Sequence, residues 1–155
     1  MIPPGAAALP AAITRERDTA LAMSEENVEV VQRGIETWNR RDLTTWLALF
    51  SSDAEIDWSR ARGPLKGVYR GSGEIETLWS EFFFMFEEAQ IETTHGFTDA
   101  GSEVVVSNTT HFRGRQGIEV SASSTWVFTV ENRQITCIRL FQVRDAALKA
   151  AGLSE

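Results

Sequence analysis

Residues 118–143 read IEVSASSTWVFTVENRQITCIRLFQV, and this stretch decides the fold. Val, Ile, Thr, Phe and Trp dominate it, and Asn132-Arg133 interrupts it as a two-residue break, so it reads as two strands, Ile118–Glu131 and Gln134–Val143, joined by a tight hairpin. Working upstream, Ala89–Thr98 and Glu103–Arg113 carry the same composition. They are joined by Asp99-Ala100-Gly101-Ser102 and lead into the hairpin through Gly114-Arg115-Gln116-Gly117. Four strands with hairpin-length links form an antiparallel meander.

Before residue 89 the apolar period is helical. Ser24 is a suitable N-cap, with Glu25 and Glu26 in the first turn, and Val28, Val31, Ile35 and Trp38 form one stripe of a helix ending near Arg41. Asp42 caps a second helix with Leu43, Trp46, Leu47 and Phe50 on its buried side. Ala54–Trp58 alternates as a short strand, and a loop punctuated by Gly63, Pro64, Gly67, Gly71 and Gly73 follows. A third helix presents Ile75, Leu78, Trp79, Phe82 and Phe86. Past the meander, Asp145 caps a last short helix, Ala146–Ala151, stopped by Gly152. Helices first and a long sheet second make an α+β domain.

Composition bounds the function. The 155 residues carry 15 basic and 22 acidic side chains, a net charge of −7 with no Lys/Arg stripe, which disfavours nucleic acid. One cysteine and two histidines exclude an intrachain disulfide and a Cys/His zinc site. No apolar run reaches the roughly 20 residues of a membrane span. Met1–Ala22 holds Pro3, Pro4 and Pro10 with no basic residue ahead of its apolar patch, so it does not read as a secretory leader. Residues 1–23 are expected to be a disordered extension, or a segment upstream of a true start at Met23. A cytoplasmic protein is expected, with residues 24–153 as its single domain.

The segments SEENVEVVQRGIETWNRRDLTTWLALF (24–50), Asp53–Trp58 and Gly67-Val68-Tyr69-Arg70-Gly71 before a helix, in that order, resemble SnoaL-like proteins. So does the ending Asp145–Leu153. These belong to the nuclear-transport-factor-two-like superfamily, with ketosteroid isomerase as a relative. The resemblance implies a cone: a curved, antiparallel or mixed sheet wrapped around N-terminal helices, with a pocket at the open end. Ketosteroid isomerase uses a carboxylate base, plus a tyrosine and a protonated aspartate that hold the enolate oxygen. The resemblance carries these roles to Trp58, Gly34 and Thr125, and none of the three residue types is preserved. Isomerase chemistry of that kind is therefore disfavoured.

The remaining proton carriers are His95, Asp57 and His111. His95 lies in phase with Ile91, Thr93 and Phe97, His111 in phase with Val105, Ser107 and Thr109. Asp57 shares a strand face with Glu55, opposite Ala54, Ile56 and Trp58. Each reads as an acid–base candidate or as an ordinary structural side chain. Gly-x-Ser-x-Gly is absent, and Cys137 reads as core. From the family register, Trp38, Trp58, Thr125, Leu140 and Gln142 are expected to line the pocket.

Two functions stand. One is a cyclase, isomerase or dehydratase without metal or organic cofactor, acting on a hydrophobic, carbonyl-bearing molecule. The other is a non-catalytic ligand-binding or dimerisation module. Both sheet faces carry apolar residues around Trp126, Phe128 and Phe141, so a homodimer through the outer face is expected.

Overall fold

The computed structural model describes residues 11–153, with side chains from Ser24 onward. Helix α1 spans Ala11–Asn39, α2 Leu43–Ala48 and α3 Gly71–Met85, with β1 (Phe50–Asp57) and β2 (Val68–Arg70) between them. Strands β3 (Phe86–Ala100), β4 (Glu103–Gly114), β5 (Glu119–Glu131) and β6 (Gln134–Phe141) follow, then α4 (Arg144–Ala150). The strands form one curved, unclosed sheet in the order β2-β1-β6-β5-β4-β3. The β1–β6 pair is parallel and every other pair antiparallel. This is the α+β cone, with the helices in its concave side.

Several local readings hold for stated reasons. Asp42 caps α2 by accepting from the Thr45 amide at 3.2 Å, and these contacts with Thr45 hold its carboxyl below the ordinary value. Asn132 and Arg133 both take positive φ, at 50° and 63°, the backbone of a two-residue hairpin turn of the twist-matched kind. The Arg133 guanidinium then reaches Glu26 on α1 at 2.8 Å.

Others are corrected. Ser24 is no N-cap, because α1 already runs through it from Ala11. Of the extension expected over residues 1–23, residues 11–23 are helix and residues 1–10 lie outside the described residues. Asp145 sits in the first turn of α4 rather than capping it. The loop after Trp58 contains β2, which pairs Tyr69 with Ile56 on the sheet edge.

The parity of β5 decides what each sheet face carries. Directly paired residues of antiparallel strands share a face, and Trp126 pairs with Leu140 and Val106, while Phe128 pairs with Ile138 and Val104. All six belong to the main core against the helices. That core centres on Trp38, whose ring lies 4.9–5.5 Å from those of Trp46, Trp79, Phe82 and Phe83. The opposite phase of the sheet carries Val105, Val127 and Phe141, and α4 covers them with Ala147 and Leu148. The patch that argued for a homodimer is therefore not bare: Trp126 and Phe128 point inward, and α4 shields Phe141.

Candidate functional site

A cavity of about 550 Å³ opens between the helices and the inner face of the sheet. Trp38, Trp46 and Phe82 form its helical wall; Ile56, Trp58, Trp126, Phe128 and Leu140 form its sheet wall. Its size falls within the range of small-molecule sites. Two features of the chain create the space. Gly34 faces it from α1, where a Cβ would come no closer than 3.5 Å to Ile135. The segment between β1 and β2 arches over the mouth and contributes Ala61–Leu65. Trp58 and Gly67 close that arch by exchanging backbone hydrogen bonds of 2.7 and 3.3 Å. The Tyr69 hydroxyl donates to the Leu65 carbonyl at 2.7 Å, and the Gln142 amide to the Arg60 carbonyl at 2.8 Å, which ties the arch to the sheet.

The polar groups on this surface are few and mostly neutral. Thr110, Ser124 and Gln142 line it, and Arg62, exposed at the mouth, is the sole ionisable side chain among the described residues that do. Between Thr110 and Val106 on β4 lies Asn108, only 1% exposed and held by two long contacts of 3.4 Å, to the Val106 carbonyl and the Thr110 hydroxyl. Two of the indoles that line the cavity differ. Trp38 donates its N–H to the Ala89 carbonyl at 2.9 Å, whereas the Trp126 N–H is buried without a partner.

The expected site residues divide. Trp38, Trp58, Leu140 and Gln142 meet on the one cavity. Thr125 does not: it pairs with Phe141 and Ser107, so it faces outward, bonded to the Ser107 hydroxyl at 2.9 Å. With Trp126 opposite Leu140, Thr125 and Leu140 cannot share a face, and the register carried over from ketosteroid isomerase is off by one residue here.

None of the three proton carriers lines the cavity. His95 is exposed beside Thr94, because a register shift between Thr93 and Phe97 breaks the period of two that placed it inward. His111 stands on the outer face between Ser121 at 2.9 Å and Glu92 at 3.3 Å. Asp57 is half-buried at the end of β1, where burial would raise its carboxyl. Hydrogen bonds from the Ser59 hydroxyl and amide, with the charges of Arg60 and Arg139, outweigh this and hold it below the ordinary value. An ionised, saturated carboxylate outside the cavity is a structural group.

Sequence reasoning missed Thr110 and Ser124. Their signal was present: polar residues in the inward phase of strands otherwise filled by valine, tryptophan and phenylalanine.

The SnoaL-like domain family matches this chain over residues 31–138. No curated protein matches. Solved structures share the fold. An NTF2-like protein of unknown function from Burkholderia pseudomallei superposes with a TM-score of 0.66 at 20% identity, covering 80% of this chain and 95% of that one. A protein assigned as a SnoaL-like polyketide cyclase from Shewanella putrefaciens gives 0.64 at 18%, covering 74% and 88%. Rv0760c from Mycobacterium tuberculosis, in complex with estradiol-17β-hemisuccinate, gives 0.67 at 14%, covering 74% and 92%. With the cone, its helices and its cavity in place, and the match running from the last third of α1 into β6, the chain belongs to the SnoaL-like family.

Proposed function

We propose that this protein binds a flat, hydrophobic small molecule in the cone and does so without acid–base chemistry from its own side chains. One observation carries the reading: among the described residues lining the cavity there is no carboxylate, imidazole or amine. Proton-shuttling catalysis needs a titratable group within hydrogen-bond reach of the reacting atom. Aromatic walls with a few hydroxyl and amide groups instead suit orientation of an apolar ring system. The steroid ester held by the mycobacterial relative supports a polycyclic ligand.

Titration with an estradiol-type steroid and a hydroxyquinone, followed by tryptophan fluorescence and thermal unfolding, tests this. Saturable quenching with one site per chain and a raised Tm is expected. No response to any polycyclic compound rejects the reading.

The relative assigned as a polyketide cyclase favours a second reading, an enzyme acting on a carbonyl-bearing substrate. Deuterium exchange at the carbon next to the carbonyl of a bound ketone separates the two. Exchange no faster than in buffer supports a binding protein; exchange accelerated 100-fold or more supports the enzyme.

We propose that two copies pair through the outer sheet face on the rows beyond α4, Thr109–Ser123 and His111–Ser121. A mass of one chain by light scattering at micromolar concentration rejects it.

A further inference from the structure

The cavity's sheet wall is not uniformly apolar. Trp126 is 7% exposed, and its indole N–H has no hydrogen-bond partner and is out of reach of water. A buried donor left unpaired is costly, and native structures rarely retain one without a use. On the same sheet face, Ser124 lies two residues along β5 and pairs across with Asn108. The Asn108 amide is also poorly used, since both its contacts are 3.4 Å long. Trp126 and Ser124 line the cavity, whereas Asn108, paired with Ser124, does not.

We propose that the Trp126 N–H with the Ser124 hydroxyl is the subsite for a neutral acceptor oxygen, the carbonyl of a flat aromatic or polycyclic ketone. This rests on the cavity being a ligand site. The donors choose the ligand's chemistry: an indole N–H can only donate, and the serine hydroxyl can donate beside it, so the complement is an acceptor. It is uncharged because no cation lies at this depth among the described residues that line the cavity. A carboxylate taken to the sheet wall loses its hydration with no counter-charge, while Arg62 offers one only at the mouth. The N–H is buried in the free chain, so binding requires its surroundings, which include Trp58 with its ring 5.4 Å from that of Trp126, to give way.

The probes are fluorene and 9-fluorenone, tricyclic molecules of one shape that differ by the carbonyl. Binding of both is measured by calorimetry to the wild-type chain and to Trp126→Phe, which keeps an aromatic wall and removes the donor. The preference for fluorenone over fluorene is expected to fall about tenfold in the variant, the worth of roughly one net hydrogen bond. In the ¹⁵N-labelled wild type, the Trp126 indole proton is expected to move downfield with fluorenone and not with fluorene.

Binding of both probes with an unmoved indole proton, or with an unchanged preference in Trp126→Phe, overturns the subsite while leaving the ligand site standing. Binding of neither overturns the ligand site and the subsite with it. The indole resonance needs no variant, so the proposal stays decidable even if Trp126→Phe does not fold.

Discussion

Trp38 and Trp126 are both buried indoles on the cavity wall, and replacing each by phenylalanine separates a hydrogen bond from a volume change. Trp38→Phe removes the donor to the Ala89 carbonyl, a 2.9 Å bond between a side chain 8% exposed and a residue with no exposure. Leaving that carbonyl short of a partner costs about 1–3 kcal/mol. The lost part of the indole withdraws contact from Trp46, Trp79, Phe82 and Phe83, worth roughly 1–2 kcal/mol in transfer and void terms. The expected total is about 2–5 kcal/mol, which for a chain of this length lowers Tm by roughly 5–15 °C. Trp126→Phe carries a volume term offset by the removal of an unpaired buried donor, since its N–H has no partner to lose. Urea unfolding of both variants checks this, with ligand absent. If Trp38→Phe is no less stable than Trp126→Phe, the bond to Ala89 contributes nothing and the reasoning fails.

Other outcomes are expected on the same grounds. Gly34→Phe, built from a position where a Cβ meets only Ile135 at 3.5 Å, is expected to fill the cavity and abolish polycyclic binding with the fold intact by circular dichroism. Undiminished binding places the ligand elsewhere. Leu148→Ala is expected to cost about 2–4 kcal/mol by uncovering Val105, Val127 and Phe141; a loss below ~1 kcal/mol in urea means α4 is loosely seated. The depressed Asp57 carboxyl adds stability above its unfolded value near 3.8 and loses it as pH falls through the lower folded value. The stability gap between wild type and Asp57→Asn is therefore expected to close as pH drops from about 5 to about 2. A gap independent of pH assigns the effect to something other than that charge.

The architecture was legible where period and punctuation agreed. The hairpin at Asn132-Arg133, the Asp42 cap and the stripe leading to Trp38 follow from local chemistry that tertiary contacts do not override. The site was legible in part. Trp58, Leu140 and Gln142 reach the cavity as read, but Thr125 does not, because a slip of one residue exchanges the faces of a whole strand. His95 fell to the register shift before Phe97, which no alternation count reveals. The outer face misled for a different reason. Alternation shows that a phase is apolar but not what covers it, and α4 supplies that cover from residues beyond the sheet.

The parallel β1–β6 pair has a consequence for how the chain is made. Phe50 pairs with Ile135, and the Ile135 amide bonds Leu49, so β1 has its main partner only when β6 has left the ribosome. Until then Phe50 and Ile56 of β1, and Trp126 and Phe128 of β5, lack the β6 part of the core, Ile135, Ile138 and Leu140. Such long-range closure is slow and leaves sticky surface exposed during synthesis. Nascent chains halted before the last hairpin are then clients for chaperones, and slowing translation ahead of β6 should lower the soluble yield.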